Sequence, residues 1–181
     1  MGFKQFESDP RFIFETKGDR LKIGVISDTH IVNKSEHLPR IILDVFKQVD
    51  LVVHAGDMVD LQVIDDLKSV CPKVVAVAGN MDQEAVRKKY PVKIVFEILG
   101  YKVGLMHGCG TALNLVELLK DSFKTDDPDI IIFGHSHKPM NEFIGKTLFF
   151  NPGSATDLTS ECNSYGIIEL SKEINARIIK I

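Results

Sequence analysis

The feature that most constrains this chain is an alternation that begins at Leu21: short apolar runs take turns with stretches whose apolar residues recur at helical spacing. The runs LKIGVIS (21–27), LVVHAG (51–56), KVVAVAG (73–79) and DIIIFG (129–134) have the length and composition of buried strands. Between the first two, Leu38, Ile41, Ile42, Val45, Phe46 and Val49 fall on one face of a helix. Leu61, Ile64, Leu67 and Val70 predict a second helix over about residues 60–70, and residues 111–123 a third that stops before Asp127-Pro128. Strand–helix–strand units of this kind build a largely buried sheet.

The second half is richer in hairpins. VKIVFEILG (92–100) and YKVGLMHG (101–108) predict a hairpin turning at Gly100, and TLFFNPGS (147–154), SYGIIELS (164–171) and INARIIKI (174–181) predict further strands joined by tight turns. The expectation is an α/β fold, a four-layer α-β-β-α sandwich of two mixed β-sheets flanked by helices. Residues 21–181 are expected to form this domain. Residues 1–20 are an N-terminal extension whose RFIFE adds an edge strand or stays mobile.

Composition narrows the function by exclusion. With 22 Lys+Arg against 25 Asp+Glu, the net charge of −3 gives no basic face for nucleic acid, so sequence-specific nucleic-acid binding is not expected. An anionic substrate would need positive charge from elsewhere. No apolar run approaches the roughly 18–20 residues of a membrane span, and the N-terminus lacks a signal pattern. Cys71, Cys109 and Cys162 are odd in number and never form a Cys-x-x-Cys pair, against a disulfide framework or a zinc knuckle. A cytoplasmic protein with no membrane partner is expected, with homo-oligomerisation left open.

The chemistry collects at the ends of the apolar runs. Asp28 and His30 follow the first strand, Asp57 the second, Asn80 the third, His107 the second arm of the hairpin, and His135 and His137 the run 129–134. In α/β sheets the carboxyl ends of strands form the ligand crevice, so these residues should converge. Within Asp28-Thr29-His30 and His135-Ser136-His137 the spacing of two sends both side chains to the same side if the chain stays extended. Seven O and N donors exceed the protein ligands of one ion and suit two ions sharing a carboxylate. Asp57, ending a central strand, is the candidate bridge. The mixture of imidazole, carboxylate and amide oxygen suits Mn, Fe, Co, Ni or Zn rather than Mg or Ca.

These blocks, Asp-x-His, Gly-Asp, Gly-Asn, His and Gly-His-x-His, resemble in order the pattern of the calcineurin-like metallophosphoesterases over roughly residues 21–181. With Asn151-Pro152-Gly153-Ser154 they look most like the small bacterial and archaeal phosphodiesterase branch, which also contains the retromer small subunit. The resemblance implies a dinuclear centre, with Mn2+ the suggested activator. It puts Asp28, His30 and His137 on one ion, Asn80, His107 and His135 on the other, and Asp57 between them. It implies hydrolysis of a small phosphodiester by a metal-bridging hydroxide, with Asp57, Asn80 and His107 closest to the reaction. The rival expectation is a protein-binding scaffold on the same fold, with little or no activity.

One position departs from the family pattern. Where the common motif has Gly-Asn-His-Asp, this chain has Gly79-Asn80-Met81-Asp82, and a thioether has no proton to give a leaving group. Met81 is expected to pack against the crevice wall. Asp82 reads as a helix N-cap, His54 as a core histidine near the site, His37 as solvated, Cys109 as a buried or loop thiol, and residues 151–154 as a rigid turn approaching the site.

Overall fold

Side chains alternate along β1 (Leu21–Ile26): Leu21, Ile23 and Val25 enter one core, while Ile26 enters another. That split governs the whole architecture. The computed structural model describes residues 18–32, 36–157 and 163–181, so RFIFE and Cys162 lie outside the described residues.

Parallel pairing joins β1 to β2 (Leu51–His54) and β2 to β3 (Val74–Ala76), with Ile23 opposite Leu51 and Val53 opposite Val75. β9 (Ser164–Leu170) and β10 (Ile174–Lys180) extend this sheet antiparallel, in the order β10-β9-β1-β2-β3. The second sheet is built from β4 (Lys93–Ile98), β5 (Tyr101–Met106), β6 (Ile130–Ile132), β7 (Met140–Ile144) and β8 (Thr147–Asn151), in the order β4-β5-β6-β8-β7. Its β5, β6 and β8 are parallel and its β4 and β7 antiparallel, so both sheets are mixed.

Between the sheets, Ile23, Val25, Leu51 and Val53 meet Val103, Leu105, Ile130 and Phe150 in one apolar layer. The outer face of the first sheet is covered by α1 (Arg40–Phe46), α2 (Gln62–Val70) and α3 (Glu84–Lys89), through Ile42, Phe46, Ile64, Leu67 and Val86. The outer face of the second is covered by α4 (Leu115–Phe123), whose Leu115, Leu119 and Phe123 sit against Ile131, Phe133 and Phe149. These are the four expected layers. Two details differ from expectation. α1 is shorter than its apolar stripe: Pro39 opens it at an extended backbone, which leaves Leu38 outside, and it closes at Phe46, so that Val49 packs from the following loop. β7 was not foreseen: Asn141, Glu142 and Phe143 are all exposed on this edge strand, so it lacks an apolar run.

Among the described residues, no helix is long and apolar enough to cross a membrane. The parallel strands β1, β2, β3, β5, β6 and β8 each run into a loop that bears polar residues, and those loops build the site.

Candidate metal centre

The backbone at the strand ends is not extended. Asp28, His30, Asp57, His135 and His137 all take positive φ, at 52°, 43°, 55°, 71° and 55°. Non-glycine residues rarely adopt this region, Asp and His being among the more tolerant, and such strain gathers at functional sites. The expected same-side geometry of the two x-separated pairs is therefore corrected: left-handed turns, rather than strand alternation, aim these side chains. The turns leave little room beside them. A Cβ on Gly79 would lie 2.1 Å from Asp57 Oδ1, and one on Gly134 would lie 1.9 Å from Ser27 Oγ and 2.7 Å from Asp28 Oδ2. Glycine at these two positions lets the loops close onto the carboxylates.

Two donor groups result: Asp28 with His30 and His137, and Asp28 with Asp57 and His107. Asp28 Oδ1 lies 3.4 Å from His137 Nε2, 3.9 Å from His30 Nε2 and 3.8 Å from His107 Nε2. Asp57 Oδ2 is 3.1 Å from His107 Nε2 and 3.9 Å from His30 Nε2, so Asp57 also faces both groups. His30 Nε2 and His137 Nε2 stand 3.1 Å apart. Asn80 and His135 form a pair of their own, Oδ1 to Nδ1 at 2.9 Å, while His135 Nε2 faces the Gly110 carbonyl at 2.8 Å. The His135 ring lies edge-on to His107, 5.3 Å between centroids, which keeps it at the margin of the second group.

Neighbours hold each donor. Ser27 Oγ donates to Asp28 Oδ2 at 2.5 Å, and the His135 backbone N–H donates to the same carboxylate. The Met81 backbone N–H donates to Asp57 Oδ1 at 2.7 Å. His107 Nδ1 donates to the Ala55 carbonyl at 2.7 Å, which leaves Nε2 with its lone pair. That Nε2 is buried, has no hydrogen-bond partner among the described residues, and points at two carboxylate oxygens.

Such an arrangement attracts a cation. Burial disfavours charge on His107, yet the Asp57 and Asp28 carboxylates overcome it and raise the pKa of its ring. Burial alone would raise Asp57, but the His107 ring and the Met81 N–H hold its carboxyl below the usual range. Hydrogen bonding to Asp28 lifts His137 to about 9 against partial burial, with Asp157 adding to the effect. Hard carboxylate oxygens mixed with imidazole nitrogens fit a first-row divalent ion.

Sequence reasoning missed Asp157, whose Oδ2 accepts from His137 Nδ1 at 2.7 Å. It follows a strand by six residues, with no motif to mark it. Other expectations need adjustment. Asp82 does not cap α3, whose N-cap is Gln83; its buried carboxylate instead accepts from the backbone N–H groups of Asp57, Val59 and Gly79. Met81 does not pack on the wall but stands 59% exposed. His54 is the expected core histidine: Nδ1 accepts from the Gly56 N–H, Nε2 sits 3.2 Å from Thr29 Oγ1, and burial pushes it down to about 4. Exposed His37 lies 3.0 Å from Asp66, and Cys109 is an exposed loop thiol.

Two stacked mixed sheets with helices outside and an acid–imidazole cluster at the parallel strand ends define a metal-site α/β protein. The chain belongs to the calcineurin-like phosphoesterase superfamily, whose domain matches residues 21–173, and is a metallophosphoesterase of that family. A probable metallophosphoesterase of Methanocaldococcus jannaschii is 38% identical over 171 residues, covering 91% of this chain and 83% of that one. Among solved structures, an archaeal phosphodiesterase is 26% identical with a TM-score of 0.70, covering 89% of this chain and 100% of that one. Wild-type Vps29 of Entamoeba histolytica, complexed with Zn2+, is 25% identical with a TM-score of 0.68, covering 88% of this chain and 99% of that one. The family works with divalent metals, and the donor groups described above are the candidate ligands.

Proposed function

We propose that this chain is a metal-dependent phosphodiesterase acting on small phosphodiesters, with a centre for two divalent ions. The observation that carries the proposal is His107 Nε2, a buried nitrogen with no hydrogen-bond partner among the described residues, facing two carboxylates. Asp28, His30 and His137 would hold one ion. Asn80, His107 and His135 would hold the other, with Asp57 between them. Mn2+ is the favoured ion, and Fe, Ni, Co or Zn suit the same donors. When bound, two such ions supply the positive charge that the acidic chain lacks, polarising phosphoryl oxygens and activating water.

The protein's own groups prepare this chemistry. The Ala55 carbonyl fixes the His107 tautomer, and the Met81 N–H fixes Asp57. The Asn80 amide nitrogen can donate to a phosphoryl oxygen. Met81 supplies no proton, so leaving groups that depart readily as anions are favoured.

Hydrolysis of bis(p-nitrophenyl) phosphate and p-nitrophenyl phosphate by chelator-stripped protein, before and after adding Mn2+, tests the reading, with Asp57→Asn as blank. Metal-dependent turnover of the diester, absent in the variant, is expected. Exposed Met81 in place of the family's histidine, together with the Vps29 likeness, favours a second reading as a protein-binding scaffold. Metal uptake without turnover with Mn, Fe, Co, Ni or Zn would establish that one instead.

A further inference from the structure

We propose that Asp157 is a positioning residue for the cation site of Asp28, His30 and His137, delivered there by residues 151–157 acting as a strap. The inference deepens the phosphodiesterase reading and rests on it.

A carboxylate only accepts hydrogen bonds, so the 2.7 Å contact keeps a proton of His137 on Nδ1 and makes Nε2 the nitrogen that gives up its proton to a cation. That Nε2 faces Asp28 Oδ1 at 3.4 Å and His30 Nε2 at 3.1 Å. The His137 side chain is 33% exposed and its backbone is left-handed, so packing alone fixes its ring weakly. A carboxylate on the far nitrogen of a ligating imidazole sets its tautomer and orientation and makes it a stronger donor.

The strap explains why Asp157 is in place. Asn151 Nδ2 donates to the Gly134 carbonyl at 2.8 Å and to Ser136 Oγ at 3.1 Å, gripping the loop of His135 and His137. Ser154 Oγ donates to the Asp28 carbonyl at 2.7 Å and accepts from the Asp157 N–H at 3.0 Å, while Thr156 Oγ1 donates to the Thr29 carbonyl. One segment after β8 thus ties together the loops after β1 and β6, which carry all three donors.

Metal binding, rather than turnover, decides the matter. Chelator-stripped full-length wild type, Asp157→Ala, Asp157→Asn, His137→Ala and the Asp157→Ala/His137→Ala double variant would be titrated with Mn2+ by calorimetry and followed by Mn2+ paramagnetic resonance. Wild type should take two ions. Asp157→Ala should hold one as wild type does and the other roughly 10–100-fold more weakly, the scale of losing a partner behind a ligand. Asp157→Asn should fall between, because its amide oxygen still accepts the Nδ1 proton. The double variant should bind no more weakly than His137→Ala alone, since Asp157 acts through that ring. Wild-type affinity at both sites of Asp157→Ala would overturn the proposal, as would a full additional loss in the double variant. A wild type that takes up no divalent ion would instead overturn the phosphodiesterase reading, and this inference with it.

Discussion

The centre has a buried wall and an open wall, held by different means. Asp28, Asp57 and His107 have at most 2% exposure, and their partners are the Ser27 hydroxyl, the Met81 and His135 backbone amides and the Ala55 carbonyl. The His30 and His137 side chains are about a third exposed, and a strap of polar side chains positions the latter. The buried wall takes its geometry from the folding of both sheets. The open wall takes it from a few hydrogen bonds made by the segment 151–157.

The largest expected effect falls on the shared donor. Asp28 holds the ion of His30 and His137 and also lies in the donor group of Asp57 and His107, so Asp28→Ala should lose the first ion and weaken the second, whereas His137→Ala should weaken the first alone. Diester hydrolysis by Asp28→Ala should drop at least about 10³-fold, since each tenfold is about 1.4 kcal/mol and a Lewis acid contributes several. Elemental analysis of gel-filtered variants reads the difference. Two ions retained in Asp28→Ala would break the comparison.

Next in size, protons should act on metal-free protein with opposite signs at two histidines. His54 is held near 4 by burial, so between its unfolded value of about 6.5 and pH 4 the unfolded state binds more protons. Stability from His54 is therefore intact above about pH 6.5 and lost as pH falls towards 4, on the order of 3 kcal/mol in all. His137, raised to about 9 by Asp28 and Asp157, does the reverse: its contribution is present below about pH 6.5 and lost as pH rises through 9. Urea unfolding across pH should show an acid slope that His54→Gln flattens and an alkaline slope that Asp157→Asn flattens. An unchanged acid slope in His54→Gln would show that other groups carry it.

A smaller effect is expected from Gly79→Ala. The added methyl would meet Asp57 Oδ1 at 2.1 Å and the Asp57 backbone N at 2.6 Å, so the loop must shift. Overpacking of this kind costs about 1–3 kcal/mol, seen as a lower urea midpoint, and should weaken Mn2+ binding first at the ion of Asn80 and His107, since Asn80 follows Gly79 directly. Equal weakening at both ions would mean that the two walls move as one.

The difference between the walls also explains what the sequence discloses. The runs 21–27, 51–56 and 129–134 are legible because strands buried on both faces must be continuously apolar, and the polar residue that ends each run stands out. The candidate donors Asp28, His30, Asp57, His135 and His137 were read off these runs, and Asn80 and His107 off the runs 73–79 and 101–106. Asp157 was not, because it works through a loop hydrogen bond to His137 and no periodicity marks a loop. β7 escaped because an exposed edge strand needs no apolar pattern. Asp82 precedes α3 as a capping residue would, and only the fold shows that its carboxylate binds the loop of Asp57 instead. The left-handed turns at Asp28, His30, Asp57, His135 and His137 were equally hidden, since Asp and His do not announce positive φ as glycine does.

The smallest effect tests the open side. Met81 is exposed beside Asn80, whose carbonyl the Arg87 guanidinium holds at 2.6 Å, so the backbone there is anchored while most of the residue at 81 faces solvent. A histidine should therefore fit at 81 without disturbing Asp57, whose contact is with the backbone N–H of that residue. With no proton donor at 81, rates over a series of aryl phosphodiesters should fall steeply as leaving-group pKa rises. Met81→His should leave the best leaving groups unchanged and speed the poorest by about tenfold, below the 10²–10⁴ of an evolved general acid. Equal and shallow slopes in both proteins would show that the leaving group already takes its proton from another group, and His135, paired with Asn80 at 2.9 Å, is the next side chain to vary.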